Sequence, residues 1–339
     1  MSRRFISQLG ERETVDQIFL ASEKQLRANR NGNLYLQVRL ADRTGSVTAM
    51  LWNANDVIYG SFENGDYLRV QGTTQFYNGA LQLIVNRVDK ADSRTIDEVD
   101  FCTLGATEID RLATRLCEML RGVRNYHLSN LAECFLMDES FMARFTRAPA
   151  GVKNHHAYHG GLMQHVLSLM ELTAVVAPRY PDLDAELLLL GAFLHDLGKI
   201  DELTYERDLG YSDEGQLIGH VVLGVALLEE KVREAEKLSG EQFPRELRLR
   251  LKHMLVSHHG EYQYGSPKLP MTTEAIALHL LDNLDAKIHS LGQIIREDAN
   301  TVSNWTPYQA NLGRKLFKGG CASPESESKA LDAIPSLQR

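Results

Sequence analysis

The chain has 339 residues, more than one typical domain, with an ordinary balance of 43% hydrophobic and 24% charged residues. Its net charge of −8 argues against a coat of basic surface, and no apolar run approaches the roughly 20 residues that span a bilayer. Met1-Ser2-Arg3-Arg4-Phe5 lacks the apolar stretch of a secretory signal, and Cys102, Cys117, Cys134 and Cys321 show no CxxC pairing, so a cytoplasmic protein with reduced thiols is expected. The charge is uneven. Residues 1–94 carry 12 Lys and Arg against 10 Asp and Glu, a balance of +2, which leaves 25 against 35, or −10, for residues 95–339.

From Val15 to Val88 the apolar positions recur with period two, as strands require. Leu34, Leu36, Val38 and Leu40 form one run, Val47, Ala49 and Leu51 the next, then Leu68 with Val70, and Leu81, Leu83 and Val85; an earlier strand is expected between Val15 and Leu26. Asn31-Gly32, Asp42-Arg43-Thr44-Gly45, Asn64-Gly65-Asp66 and Asn78-Gly79 supply turn chemistry between them. Five short strands with a helical or irregular piece near Asn53–Phe62 predict an OB-type barrel. Leu40 to Val47 followed by Leu51-Trp52 resembles OB-folds of the tRNA-anticodon-binding type. Opposite the apolar positions stand Tyr35, Arg39, Trp52, Tyr67 and Arg69. Rings that stack on bases and guanidinium groups that meet phosphates suit single-stranded nucleic acid, although Trp52 and Tyr67 also suit plain closure of the barrel ends.

Asp89 to Thr107 is polar and acidic and reads as a linker. Helical periodicity then begins near Glu108, with Ile109, Leu112, Leu116, Met119 and Leu120 on one face, and more helix is expected from Leu128 to Phe145. Gly160-Gly161 opens another helix with His165 one turn in, just after the crowded His155, His156 and His159. An apolar helix from Leu187 to Leu194 runs into His195-Asp196, Gly198 breaks it, and Lys199 stands one turn beyond His195.

Further His and Asp residues border apolar helix in the same way: His220, then His258-His259 before Gly260, then Asp282. Singly, each is best read as a core residue bonded to backbone. Together, five His and two Asp from five helical segments fit a two-metal hydrolase, because mixed imidazole and carboxylate donors suit Mn²⁺, Fe²⁺ or Zn²⁺ and converge from facing helices. The acidity of the back half is tolerable beside such cations.

Residues 153–290 resemble the HD superfamily of metal-dependent phosphohydrolases, with its order H…HD…H…HH…D. More narrowly, Gly160 to His165, Leu194 to Ile200, Glu214 to His220, Ser257 to Gly260, Gly265-Ser266-Pro267 and Asp282 to Ala286 are similar to the bacterial YhaM-like 3′→5′ exoribonucleases, which join an N-terminal OB-fold to a C-terminal HD domain. The resemblance covers nearly the whole chain except the tail. It implies that His165, His195, Asp196 and Asp282 hold one metal, that Asp196 bridges to a second held by His220, His258 and His259, and that Lys199 neutralises phosphate charge in the transition state. Asp285, His156 and His159 become candidates for supporting roles around the ligands. Gln263 stands where these exonucleases often have an acidic residue.

The expected architecture is multidomain: an all-β OB-fold barrel over residues 1–94, a linker over 95–107, an all-α HD-domain helical bundle over 108–318 and a disordered tail over 319–339. The expected function is metal-dependent 3′→5′ hydrolysis of single-stranded RNA to nucleoside 5′-monophosphates by a metal-bound hydroxide attacking phosphorus, with single-stranded DNA and a homo-oligomer left open and no membrane. Two divalent ions are expected, Mn²⁺ first. The alternatives are an HD phosphohydrolase for nucleotides or cyclic dinucleotides, against which Gly265-Ser266-Pro267 in place of Gly-Tyr-Pro counts, and a non-catalytic nucleic-acid-binding protein.

Overall fold

The computed structural model describes residues 3–319 except 78–79, 93–95, 102–103, 153–157, 206–208, 299 and 301–302. The Asn78-Gly79 turn, His156 and the tail from residue 320 therefore lie outside the described residues.

The first half is a closed five-stranded barrel. β1 (Thr14–Ala28), β2 (Leu34–Asp42), β3 (Gly45–Trp52), β4 (Tyr67–Tyr77) and β5 (Ala80–Lys90) pair in the order β1-β2-β3-β5-β4, with the short α1 (Asp56–Tyr59) between β3 and β4. Its interior is the period-two set: Leu36, Val38 and Leu40 meet Val47, Ala49, Leu68, Val70, Leu83 and Val85, with Phe19 of β1 fully buried. Leu34 departs from that reading and is 38% exposed, because it lies at the open end of β2. Asp42 explains the Asp-Arg-Thr-Gly turn. Its buried carboxylate accepts from Thr44 N–H at 2.8 Å and Thr44 Oγ1–H at 2.6 Å, and its other oxygen accepts from Ile6 N–H at 2.7 Å, so one side chain closes the turn and anchors the N-terminal segment.

The polar stretch after β5 is partly docked on the barrel. Arg43 N–H donates to Asp100 C=O at 2.8 Å, and the Phe101 ring lies 4.8 Å from that of Tyr67.

The second half is helical, apart from a two-stranded ribbon: α2 (Ala106–Arg121), α3 (Tyr126–Leu136), α4 (Glu139–Phe145), α5 (Gly161–Val176), α6 (Ala185–Leu194), α7 (Lys199–Glu202), β6 (Leu203–Thr204), β7 (Gly210–Tyr211), α8 (Asp213–Leu217), α9 (His220–Ser239), α10 (Arg245–Ser257) and α11 (Thr273–Glu297). Helix α6 is apolar all round, so burial on every side is its stable environment. It is capped by Asp184, which accepts from Leu187 N–H, and it packs against α3, α5, α10 and α11. Phe193 of α6 meets Phe135 of α3 and Phe145 of α4 edge-on, at 5.3 and 6.1 Å between centroids. No helix among the described residues is long and apolar enough to cross a membrane. At the C-terminal end Trp305 pairs with Phe317 and Gln309 with Arg314.

Gly198 plays a different part from the helix breaker that the sequence suggests. Its backbone is ordinary right-handed helical, φ −62° and ψ −16°, so any residue could adopt it. What excludes a side chain is crowding: a Cβ there would sit 2.0 Å from the His220 carbonyl oxygen and 2.6 Å from Gly224 N. The start of α7 thus rests directly on the first turn of α9. Gly198→Ala is expected to destabilise the protein by about 1–3 kcal/mol, the usual range for forced overpacking, read as a lower urea midpoint; an unchanged midpoint would mean that α9 yields freely.

Candidate metal and catalytic centre

Helix α6 delivers His195 and Asp196 at its C-terminal end, fully inside the protein. His195 Nδ1–H donates to Ala192 C=O at 2.8 Å, a bond within the helix's own last turn that leaves Nε2 aimed at the cavity. Around that point α5 brings His165, α11 Asp282, α9 His220, and the end of α10 His258 and His259. Gly260, with φ +80°, ends that segment where a Cβ would collide with the His279 ring, and His279 Nδ1–H in turn donates to His258 C=O at 2.9 Å.

The seven side chains form two trios that share Asp196. His165, His195 and Asp282 offer one ligand atom each within 4.8 Å of one another, and so do His220, His258 and His259. Asp196 Oδ2 lies 3.3 Å from His195 Nε2 and 3.7 Å from His165 Nε2; Oδ1 lies 3.5 Å from His220 Nε2 and 3.6 Å from His258 Nε2. Asp282 Oδ1 is 3.3 Å from His165 Nε2, and the facing Nε2 atoms of His220 and His259 are 3.2 Å apart.

These spacings suit donors gathered around a divalent ion. Donors about 2.1 Å from one ion stand roughly 3–3.5 Å from each other. Asp196 Oδ1 and His258 Nε2 are buried with no hydrogen-bond partner, which is costly unless something else satisfies them. Mixed N and O donors of this kind suit Mn²⁺, Fe²⁺ or Zn²⁺.

Four of the candidate imidazole ligands, His195 among them, are themselves held. His220 receives both supports from Glu202 of α7: backbone N–H and Nδ1–H each donate to Oε1 at 3.0 Å. His165 Nδ1–H donates to Asp285 Oδ2 at 3.0 Å, and Ser168 Oγ–H fixes the other oxygen of Asp285 at 2.7 Å. His258 Nδ1–H donates to Leu255 C=O at 2.7 Å. Asp285 thus stands where sequence reasoning set a supporting residue, whereas Glu202 and Ser168 were missed; nothing in Lys199-Ile200-Asp201-Glu202 says that its last carboxylate turns inward. His159 is half-buried in the turn before α5. Gln263 donates to Glu261.

Electrostatics separates the imidazoles. Burial, with the neighbouring His195 and His220, pushes His258 down against the pull of Asp196, and burial with His258 and His220 takes His259 down to about 4, so both imidazoles are neutral at pH 7, the form that can ligate a metal. Burial works the same way on His165, but hydrogen bonds to Asp282 and Asp285 overcome it and raise it to about 9. Burial opposes ionisation of Asp196, yet Lys199 and His195 hold its carboxyl well below the usual range. Lys199 Nζ donates to Asp196 Oδ2 at 2.6 Å; burial disfavours its charge, and Asp196 more than restores it.

The barrel residues divide. Tyr35 and Trp52 are cross-strand partners of β2 and β3, with centroids 5.2 Å apart, and Trp52 is 48% exposed. Arg39 follows on the same strand, bonded to Ser46 Oγ at 2.9 Å. Tyr67 and Arg69 do not join that group. Tyr67 pairs with Leu20, and Leu20 with Ala41, six residues along β2 from Tyr35, roughly 20 Å at strand spacing. The Tyr67 ring packs on Phe101, and Arg69 makes a two-pronged pair with Asp16 at 2.8 and 3.0 Å. The reason is closure: β4 seals the barrel against the first half of β1, away from the β2–β3 face.

In metal-free protein, a ring titration by NMR is expected to find His165 charged up to about pH 9 and His259 neutral down to about pH 4. Because His165 is raised above its unfolded value of about 6.5, its contribution to stability is complete below that pH and is lost as pH rises through about 9. Asp285→Asn lowers the His165 midpoint; an unmoved midpoint would refute the pairing.

Residues 162–287 match the HD domain family, and residues 21–91 match the OB-fold nucleic acid binding domain of the tRNA-anticodon type. The chain is 34% identical over 277 residues to the 3′-5′ exoribonuclease YhaM of Bacillus velezensis, covering 81% of this chain and 86% of that protein. It is 32% identical over 284 residues to the YhaM of Bacillus subtilis, covering 84% and 88%, and 31% identical over 286 residues to that of a Geobacillus species, covering 84% and 86%.

Proposed function

Since the chain belongs to the YhaM exoribonuclease family and its HD domain is that of a metal-dependent phosphodiesterase, we propose that it is a 3′→5′ exonuclease that hydrolyses single-stranded RNA to nucleoside 5′-monophosphates. The observation that carries this reading is the position of Asp196, whose two oxygens face two separate trios of donors. His165, His195, Asp282 and Asp196 would hold one divalent ion and Asp196, His220, His258 and His259 the other, with Mn²⁺ the favoured metal. Bound there, the ions would supply positive charge and an activated water for a phosphoester.

The chain's own residues do the rest. Glu202, Asp285, Ala192 C=O and Leu255 C=O fix which imidazole nitrogen faces the cavity, so no reorganisation is needed when a strand arrives. Lys199 is 19% exposed and keeps its charge, which suits an ammonium that meets a non-bridging phosphate oxygen as charge builds there. In the barrel, the Tyr35–Trp52 pair offers rings to a passing strand, with Arg39 four residues further along β2 as a cation. Tyr67 and Arg69, already engaged by Phe101 and Asp16, contribute less. Single-stranded DNA presents the same phosphates and rings and is the substrate to compare; action in the cytoplasm belongs to the same reading.

With a 5′-labelled single-stranded RNA and Mn²⁺, the expected result is a ladder shortening from the 3′ end. The ladder is absent in the His195→Ala/Asp196→Ala variant and after chelation, and returns on adding metal. Lys199→Met is expected to lower kcat roughly 10²–10³-fold, as loss of one charge-stabilising donor does. RNA left intact with Mn²⁺, Fe²⁺ and Zn²⁺ each tried would overturn the reading.

A further inference from the structure

One side of the centre is bordered by large apolar side chains that no packing explains. Leu217 and Ile218, at the end of α8, are 85% and 48% exposed. Both stand just before Gly219-His220 in the chain. Tyr262 and Tyr264 form a 3₁₀ turn three to five residues after His259 and are 64% and 63% exposed. The two stretches border one trio, because the Nε2 atoms of His220 and His259 lie 3.2 Å apart.

The tyrosine turn is fastened beside the trio rather than hanging free of it. Gly265 N–H donates to Tyr262 C=O at 3.0 Å, and buried Ser266 bonds through Oγ–H to Lys268 C=O at 2.7 Å. Lys268 N–H then returns to Val256 C=O in the last turn of α10 at 3.2 Å. The position of a Cβ on Gly265 would be 4.0 Å from His259 Nδ1, so the chain after the turn passes beside His259, on the Nδ1 side of its ring. Two exposed aromatic rings are therefore held on a pinned segment next to a phosphodiester-cleaving centre.

A site that gripped phosphates alone would gain nothing from apolar groups at its edge, and leaving them in water is unfavourable. A nucleobase is the apolar-faced group that accompanies every scissile phosphate of a strand, and it stacks on aromatic rings whatever its identity. We propose that Tyr262 and Tyr264 bind the 3′-terminal nucleobase of the RNA as a stacking platform, with Leu217 and Ile218 forming an apolar border on the His220 side. The two tyrosines are positioning residues: they hold the last nucleotide so that its phosphate lies over Asp196. This rests on the exonuclease reading above and adds to it the group by which the strand's end is recognised.

The test compares two RNAs that differ only at the 3′-terminal nucleotide, one carrying its base and one abasic. Removal of that nucleotide is followed with wild type, Tyr262→Ala/Tyr264→Ala and Tyr262→Phe/Tyr264→Phe. Wild type is expected to show a KM about 10- to 100-fold lower for the base-bearing end, the range that stacking of one base provides. The double alanine variant loses that preference through KM rather than kcat, and the double phenylalanine variant keeps it. Melting curves that superimpose confirm that all three fold. Wild type that removes both ends with the same KM, or an alanine variant that still prefers the base, overturns the proposal while leaving the nuclease intact. Failure of wild type to shorten either RNA overturns the nuclease reading and this one with it.

Discussion

Everything in the helical half depends on keeping one carboxylate ionised inside the protein. Asp196 is almost fully buried, a placement that by itself would favour the neutral acid. It stays charged because Lys199 and the imidazoles surround it, and it has those neighbours because α6 is too apolar to sit anywhere but the centre. The core therefore does more than stabilise. It sets the depth at which the carboxylate stands, and α5, α9, α10 and α11 must bring their donors to that depth.

The uneven charge of the chain follows from the same arrangement. Acidic side chains in the back half are used inside as well as outside: Asp285 backs His165 and Glu202 backs His220. Each makes an imidazole a better donor or fixes its orientation, at the cost of negative charge that only cations can offset. A polyanionic strand would be repelled by such a cavity when empty. The near-neutral barrel carries no comparable burden, and on the proposed reading its Tyr35–Trp52 pair is what a strand would meet.

Much of this was legible in the sequence, for physical reasons that differ by element. The barrel strands show because every second residue faces the core, and only Leu34, at an open end, escapes the rule. The seven central His and Asp residues show because each borders an apolar helix and because they occur in a family order. What stayed hidden depends on where elements cross. Glu202 is an unremarked acid in a four-residue helix until α9 is laid beside it. Tyr67 and Arg69 look equivalent to Tyr35 and Arg39 along the strands and differ only in which neighbour the closed barrel gives them. Gly198 looks like a breaker because glycine usually is one.

That backbone crossing bears on how the enzyme can change. With α7 resting on the first turn of α9, the segment carrying Lys199 and Glu202 cannot slide past the one carrying His220. On the proposed reading, a different end group would be met by exchanging exposed side chains such as Leu217 or Tyr262, which that crossing does not hold. The crossing locks the backbone on which the centre is built, and the exposed side chains at its edge lie outside that lock.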